Sequence, residues 1–385
     1  MKALVLSGGG SKGSYQIGVW RALQQLGIKF DIVTGTSSGA INGALITQNT
    51  YFRAIHVWKN LNYKNIFGSE FNNSSKLSTL YKGFVKNFIN DGGTEVKELQ
   101  DLINKNLKIN RFYNSKINYG LVTYNLSTKK PLLLQKKDIP REKLGDYILA
   151  SASCFPAFKT KKIDGEEFVD GGYYDNLPIN LAIDMGADEV IVVDLHEVGL
   201  KRKTKKKVKQ TIISPRNNLS NFLVFDAEYS RLNMKYGYND TMKVFGRLEG
   251  NHYTFRLNEV HKFKTKYEET YRYILDKVFN SENAIKEFEK RIELPQDIKD
   301  NIILKGIEDT GYKFNIDDSM IYTCKRFNRV LKHEVGKQLK SKEKNSVLNI
   351  FKLLQAQEYE KVKRKIITRP FDLIKAIYIY TIFEV

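Results

Sequence analysis

The stretch ALVLSGGGSKG, residues 3–13, decides the fold of this 385-residue chain. Its first four residues form a short apolar run that is typical of a buried strand, and a glycine-rich loop follows them directly. Apolar side chains then recur at helical spacing over Ile17–Leu23. Ser14 can cap this helix at its start, and Gly27 can end it. The chain therefore opens with a strand, a glycine loop and a helix.

The same order of elements follows a second time. A strand is predicted at residues 30–34, the turn GTSSG follows at 35–39, and a helix of small residues is predicted at 40–47. Parallel strands that are connected through helices place the loops that follow them at one edge of the sheet. The sequence therefore predicts an α/β fold with a central, mainly parallel sheet and both glycine-containing loops at the same edge.

Further elements are predicted along the rest of the chain. Strand patterns lie at 119–126, 131–135 and 189–195, helix patterns at 141–150 and 178–186, and a hairpin at 162–169. From about residue 220 the pattern is mainly helical, and it contains no strong strand signal beyond residue 294. We therefore predict two domains, one over 1–294 that carries the α/β motifs and a mainly helical region of unknown role over 295–385.

Composition excludes several classes of protein. Charged residues make up 28% and hydrophobic residues 42%, which supports a sizeable core and excludes a disordered or collagen-like chain. The two cysteines, Cys154 and Cys324, are too few for a disulfide framework or a cysteine-based zinc site. The apolar run at 3–6 is too short for a signal peptide, and no run of about 18 apolar residues exists. We expect a cytoplasmic protein.

The chain is basic, and the excess lies mainly in its second half. The net charge is +20, with 24 basic against 19 acidic residues over 1–200 and 39 against 24 over 201–385. One run within 201–209 holds seven basic residues: Lys201, Arg202, Lys203, Lys205, Lys206, Lys207 and Lys209. Such a run suits an anionic lipid surface or nucleic acid, and a solvated charged loop is the simplest alternative.

The glycine loop admits three interpretations. Residues 8–13 match the G-x-G-x-x-G pattern of dinucleotide-binding proteins, and Asp31 follows at about the expected distance of 20 residues. Asp31 however starts the predicted second strand, whereas the ribose-binding acid belongs at the end of that strand. The loop lacks the Gly-Lys-Ser/Thr of a P-loop. A plain tight turn, a nucleotide site and an oxyanion-binding loop all stay open from these residues alone.

The second turn favours nucleophilic catalysis. Gly35, Ser37 and Gly39 form a G-x-S-x-G pattern between a predicted strand and a helix, as in a nucleophile elbow. The serine hydroxyl then projects from a sharp turn, and glycine is needed on either side because the turn crowds its neighbours. The glycine loop at the same sheet edge can offer backbone N–H groups to an oxyanion.

A serine nucleophile needs a base, and two residues compete for that role. His196 follows the strand predicted at 189–195, and the order Ser37, Asp170, His196 would match a hydrolase triad. Asp170 is followed by Gly171 and Gly172, which allow a close backbone approach, and a carboxylate can accept the serine proton directly. Either residue can also be a bystander, in a surface loop or a turn.

Taken together, the motifs resemble those of the patatin-like phospholipase family. The blocks GGGSKG at 8–13, GTSSG at 35–39 and DGG at 170–172 occur in the family's order, and ASASCFP at 150–156 resembles the segment before the Asp-Gly block. The similarity is clear over residues 1–200 and loose to about 280. It implies a patatin-like three-layer α/β fold and a lipid acyl hydrolase of the phospholipase A or lysophospholipase type.

The resemblance also implies roles for individual residues. Ser37 would be the nucleophile and Asp170 its base, which leaves His196 outside the reaction. The first block would form the oxyanion hole, chiefly through Gly9 and Gly10. The remaining residues of that block with an implied role are Gly8, Lys12 and Gly13. Neither a metal nor an organic cofactor would be needed for hydrolysis through an acyl-enzyme.

Partners follow from the same interpretation. A lipid substrate makes an anionic membrane the favoured partner of the basic run, and no zinc-finger, helix-turn-helix or RNA-binding pattern supports nucleic acid. Some bacterial members of the family need an activator, which the C-terminal region could receive. The apolar stretch 371–385 is short for a bilayer span and is expected either to pack on the body of the protein or to lie in a membrane interface. A dinucleotide-binding enzyme and a non-catalytic membrane-binding protein are the alternatives.

Overall fold

The structure is a computed structural model that describes residues 1–67, 82, 83, 89, 93, 94, 96–292, 302–341 and 344–384. The chain divides into two compact units, Met1–Val244 and Phe245–Val385. Each has a core of its own.

The first unit is built on an eight-stranded sheet. Its strands are β1 (Lys2–Leu6), β2 (Ile32–Thr36), β3 (Asn118–Asn125), β4 (Lys130–Gln135), β5 (Lys161–Ile163), β6 (Glu166–Asp170), β7 (Glu189–Val193) and β8 (Lys209–Ile213). The order is β5-β6-β3-β2-β1-β7-β8, and β4 also pairs with β3. The strands β3, β2, β1, β7 and β8 run parallel, and β4, β5 and β6 are antiparallel to their neighbours. The predicted α/β fold with a mainly parallel sheet is confirmed.

Helices connect these strands and cover the sheet. They are α1 (Ser14–Gln25), α2 (Ser38–Thr47), α3 (Tyr51–Asn60), α4 (Tyr63–Phe67), α5 (Lys97–Asn106), α6 (Ile109–Tyr113), α7 (Leu144–Ala152), α8 (Ile179–Asp184) and α9 (Ala227–Val244). A 3-10 turn at Gly10–Gly13 leads from the glycine loop into α1.

Strand register brings the functional loops together. Leu6 at the end of β1 is level with Gly35 in β2 and with Val193 at the end of β7. These central strands are apolar and buried, as strands covered on both faces must be. The loops that follow β1, β2 and β7 therefore meet at one edge of the sheet. β6 reaches the same edge from the opposite direction, because Asp170 at its end pairs with Thr123 of β3.

The second unit is mainly helical. It has a small sheet of β9 (Leu248–Glu249), β10 (Thr254–Arg256) and β11 (Ile321–Tyr322). Its helices are α10 (His261–Phe279), α11 (Glu282–Arg291), α12 (Ile302–Lys313), α13 (Cys324–Lys340), α14 (Ser346–Gln355), α15 (Tyr359–Ile366) and α16 (Pro370–Phe383). Most apolar side chains of α16 are buried in one shared core. The apolar C-terminal stretch therefore packs within its own unit.

The two units divide earlier in the chain than the sequence suggested. The expected boundary at 294/295 lies outside the described residues, whereas the compact units meet at 244/245. The physical reason is the packing of α10 and α11. Their buried residues, such as Tyr267 and Phe288, belong to the same hydrophobic core as Tyr378 of α16.

Candidate active site

Ser37 occupies a sharp, strained turn between β2 and α2. Its backbone has φ 57° and ψ −127°, in a region that residues other than glycine rarely adopt. The Ser37 N–H donates to Ser151 Oγ at 3.0 Å, and the Ser151 hydroxyl donates to the Val122 carbonyl at 2.7 Å. The turn is thus held from β3 and α7, and such strain persists only where the surroundings fix it.

The glycines on either side of Ser37 stand where no side chain fits. A Cβ on Gly39 would lie 2.4 Å from the Leu6 carbonyl oxygen and 2.7 Å from that of Ser7. A Cβ on Gly35 would lie 2.3 Å from the carbonyl oxygen of Gly39. All of these neighbours are backbone atoms, so the turn packs directly on the end of β1. This is the crowding that the G-x-S-x-G pattern predicts.

Asp170 ends β6 beside Ser37 and is buried, with 5% of its surface exposed. Its backbone N–H donates to the Ser153 carbonyl at 3.0 Å, and its Oδ1 accepts the Gly172 N–H at 2.8 Å. Burial raises the pKa of Asp170 to about 6, and hydrogen bonds from the Gly172 backbone and the Ser37 side chain offset part of that rise. The Ser37 side chain therefore lies close enough to influence a carboxylate of raised basicity.

Two backbone N–H groups of the glycine loop have no hydrogen-bond acceptor among the described residues. The Gly8 N–H donates to the Asn176 carbonyl at 3.1 Å, the Ser11 N–H to that of Phe222 at 2.8 Å, and the Lys12 N–H to that of Gly9 at 3.1 Å. Within the part of the chain that the structure describes, the N–H groups of Gly9 and Gly10 have no protein acceptor. Gly10 adopts φ 54°, and a Cβ there would lie 2.3 Å from the Phe222 carbonyl oxygen.

The other two candidates of this loop brace it. The Lys12 ammonium pairs with Glu197 of the loop after β7, and both side chains are largely buried. The Gly13 carbonyl accepts from Asn42 Nδ2 at 2.9 Å, which ties the loop to α2. A Cβ on Gly13 would press on the Trp58 ring at 2.9 Å. Lys12 and Gly13 thus fix the loop against its neighbours.

A cavity of about 590 Å³ opens onto Ser37 and Asp170. The glycine loop, Ser38, Gly172 and Asn176 supply the polar end. Away from that end the wall is apolar and comes from α2–α5, α7 and the segment before α9: Ile41, Ala44, Leu45, Val57, Trp58, Leu61, Ile66, Leu99, Leu102, Ile103, Leu107, Ile148, Ala152, Phe158, Phe222, Leu223 and Phe225. A serine that lines a largely apolar cavity suits a substrate with a hydrocarbon chain.

Sequence reasoning missed this wall and several supports. Ser151, Asn176 and Phe222 each contact the turn or the loop, and the sequence analysis assigned no role to any of them. The small, polar character of ASASCFP carried a signal for Ser151, which supports Ser37. Helices α3 and α5 carried none, because an apolar helix face indicates burial and does not distinguish a core from a cavity wall.

The competing residues lie elsewhere. His196 follows β7, its side chain is 62% exposed, its Nδ1 lies 3.7 Å from Asp194, and it does not line the cavity. Asp31 accepts the Lys2 N–H at 2.9 Å, at the amino ends of β1 and β2. That is the opposite edge of the sheet from the glycine loop, as the sequence predicted. The structure therefore does not favour a dinucleotide that would contact both Asp31 and the glycine loop.

The basic run divides into two parts. Lys201 bonds Asp194 at 2.8 Å, and the Arg202 guanidinium lies 4.0 Å from the centre of the Tyr174 ring. The chain then leads away from the cavity, along α8 to the amino edge of the sheet, where Lys209 is level with Glu189. Lys205 pairs with Asp184 at 2.7 Å and Lys209 with Glu189 at 3.2 Å. The structure thus does not bring the seven basic residues together at the cavity.

The described residues contain neither a metal-binding cluster nor a membrane-spanning helix. No group of three or more His, Cys, Asp or Glu side chains among them could hold a metal ion. No helix among them is both long and apolar enough to cross a lipid bilayer.

Comparison with known proteins finds a family match within the first unit. The family model of patatin-like phospholipases matches residues 4–183. Patatin-like phospholipase domain-containing protein 7 of Rattus norvegicus is 30% identical over 204 residues, which cover 50% of this chain and 13% of that protein. The cUMP-AMP-activated phospholipase of Escherichia coli is 26% identical over 204 residues, 47% of this chain and 58% of that protein. Residues 4–183 therefore match the patatin-like phospholipase family model, and the chain spans less than two thirds of these relatives.

Among solved structures, VipD from Legionella pneumophila is similar at a TM-score of 0.36 and 14% identity, over 99% of this chain and 90% of that one.

Proposed function

We propose that this protein hydrolyses fatty acyl esters of phospholipids or lysophospholipids through a Ser37–Asp170 dyad. The observation that carries the proposal is the placement of Ser37 and the buried Asp170 at one largely apolar cavity, where the Ser37 side chain lowers the pKa of the Asp170 carboxyl. The family of residues 4–183 supports lipid acyl hydrolysis as the activity. A carboxylate in direct contact with the serine can act as its base without a histidine.

The reaction has two steps. Asp170 accepts the Ser37 proton while Ser37 Oγ attacks the ester carbonyl, and the tetrahedral oxyanion that forms is held by the loop. Collapse breaks the bond to the alcohol, and protonated Asp170 returns the proton to the leaving alkoxide. Water then attacks the acyl-enzyme with Asp170 again as the base, which releases the fatty acid and restores Ser37.

Gly9 and Gly10 are the oxyanion donors in this proposal. Their N–H groups have no acceptor among the described residues, while the Gly8 N–H donates to the Asn176 carbonyl and the Lys12 N–H to that of Gly9. Fixed donors at the developing charge are effective because they need no reorganisation during the reaction. Gly8, Lys12 and Gly13 serve by holding the loop in place.

The apolar cavity takes the acyl chain. Its apolar wall buries the hydrocarbon chain, and the polar groups around Ser37 receive the ester. Lipid contact is proposed for the first part of the basic run, Lys201–Lys203, which begins beside the cavity. The more distant basic residues and an activating partner stay predictions without a supporting contact.

We test the proposal with mixed phospholipid vesicles and a quantitative measurement of fatty acid and lysolipid release. Ser37→Ala and Asp170→Asn should each reduce release by at least about 10³-fold, because each removes one half of the dyad. His196→Ala is the matched control and should keep the wild-type rate. A result in which His196→Ala also abolishes release would replace the dyad with a triad.

A fluorophosphonate probe separates chemistry from lipid presentation. The probe should label wild-type protein at Ser37 and should leave Ser37→Ala unlabelled, whatever the vesicle composition. Labelling that persists in Ser37→Ala, or wild-type protein that resists the probe, would contradict the assignment of Ser37 as an activated nucleophile.

A further inference from the structure

Three apolar side chains stand in solvent at the mouth of the cavity. Val198 is 94% exposed, Leu200 is 57% exposed, and Tyr173 is 47% exposed. All three line the cavity that leads to Ser37. Single exposed apolar side chains are common on proteins, but a group of them around the opening of a binding cavity indicates a surface that contacts something apolar.

The backbone that presents these side chains is firmly held. The Leu200 N–H donates to the Gly172 carbonyl at 3.0 Å, and its carbonyl accepts the Asn176 N–H at 2.6 Å. Glu197 just before the loop pairs with Lys12, and Lys201 just after it bonds Asp194. Because both ends of 198–200 are fixed, the backbone that carries the exposed side chains does not need to be ordered when a partner binds.

Positive charge borders the apolar group on one side. Arg202 is exposed, with its guanidinium over the Tyr174 ring. Lys203 is exposed and makes no ion pair with any described residue. Apolar side chains beside exposed cations match the interface of an anionic bilayer, where a lipid tail region lies directly under negative headgroups. A protein partner would need acidic and apolar groups in the same arrangement, whereas an anionic bilayer offers both over its whole surface.

We propose that Tyr173, Val198 and Leu200 form a rim that enters the surface of an anionic lipid bilayer, with Arg202 and Lys203 on its headgroups. This inference rests on the proposed lipid substrate. It gives the rim a physical purpose, because a lipid that leaves the bilayer through this mouth passes from one apolar surface to another without crossing water. The rest of the basic run, beyond Lys205, has no part in this contact.

The test is sedimentation of the full-length protein with vesicles of phosphatidylcholine alone and with about 30 mol% phosphatidylserine. Wild type should bind the mixed vesicles in preference. The double variant Val198→Asp with Leu200→Asp should lose at least about tenfold in affinity, because two charges replace the apolar contact. Phe52→Asp is the matched control: Phe52 is 85% exposed but does not line the cavity, so its variant should bind as wild type does.

A second pair tests the charge. Lys203→Glu should weaken binding to mixed vesicles by about fivefold or more, since one basic residue near an anionic surface is worth about that factor. Lys207→Glu makes the same change in the part of the run that leads to the amino edge of the sheet, and it should leave binding nearly unchanged. Equal losses in both variants would mean that only net charge matters and would overturn the proposed contact.

Other outcomes are equally decisive. Binding of the double aspartate variant at wild-type strength would overturn the rim, as would binding that ignores phosphatidylserine or prefers an oligonucleotide to vesicles. An unchanged Tm shows that each variant is folded. Since binding is measured without turnover, it can fail while Ser37 still reacts with a fluorophosphonate, and it can hold if that labelling fails. The failure of the rim can therefore be distinguished from the failure of the proposed chemistry.

Discussion

At the scale of single residues, burial performs two tasks at Asp170. It removes the carboxyl from water, which raises its pKa to about 6, and it places the carboxyl near the Ser37 side chain, which offsets part of that rise. A base is most effective when its pKa lies near the working pH, since it is then ionised and still basic. Burial raises the pKa of Asp175 to about 6 as well, but the Oδ1 atom of Asp175 accepts a hydrogen bond from the Leu177 N–H at 3.2 Å.

The pKa of Asp170 predicts how the rate depends on pH. The base must be ionised to accept the Ser37 proton, so kcat/KM should rise with pH, reach half its plateau near the pKa of about 6, and stay level above about pH 7. The measurement is hydrolysis of a neutral short-chain ester, whose own charge does not change with pH. A half-maximal rate near pH 4, the region of an exposed aspartate, would mean that the base of this reaction is not buried.

At the scale of elements, the site depends on close contact between the end of β1 and the start of α2. Ser37 keeps its strained backbone because Ser151 holds its N–H from one side and the end of β1 supports the turn from the other. Strain of this kind costs about 1–3 kcal/mol and survives only where neighbouring elements enforce it. The packing of two elements therefore positions Ser37, the proposed nucleophile.

Gly39→Ala tests that packing. The new methyl would lie 2.4 Å from the Leu6 carbonyl oxygen, so β1 and α2 must separate, and the reactive hydroxyl must shift with them. We expect fatty acid release to fall at least about tenfold and stability to drop by about 1–3 kcal/mol. The measurements are the vesicle assay and urea unfolding.

Gly336→Ala in α13 is the control for that substitution. No atom lies within 4 Å of a Cβ at this position, so the variant should keep full activity and gain about 0.5–1 kcal/mol of stability from a better helix former. If Gly39→Ala behaved like this control, the close contact between β1 and α2 would not be what positions Ser37.

The sequence predicted those elements that carry a local signal. The apolar run of β1, the two glycine turns and the strand pattern at 189–195 all appear where they were expected. β8 was missed, because Lys209–Ile213 is a mostly exposed edge strand in which KQT precedes only two apolar residues. The pairing of β6 with β3, which brings Asp170 to Ser37, joins distant segments and leaves no periodicity to find.

At the scale of the whole molecule, the chain has two cores that do not follow the predicted boundary. Helical periodicity shows which face of α10 or α11 is buried, but it does not show what that face packs against. The answer lies in residues such as Tyr378, whose ring lies 5.4 Å from that of Tyr267, more than a hundred residues earlier in the chain. Only the folded chain shows that 245–292 belongs with the C-terminal helices.

Two cores predict that each unit can lose stability by itself. Ile377 of α16 is fully buried in the second core, so Ile377→Ala should destabilise that unit by about 2–5 kcal/mol. Both tryptophans, Trp20 and Trp58, lie in the first unit, so tryptophan fluorescence reports on that unit alone while far-UV circular dichroism reports on both. In urea, the variant should lose helical signal early and keep the wild-type fluorescence midpoint.

Ile191→Ala, in the buried strand β7, should instead lower the fluorescence midpoint. Equal shifts of both signals in Ile377→Ala would mean that the two units unfold as one cooperative body.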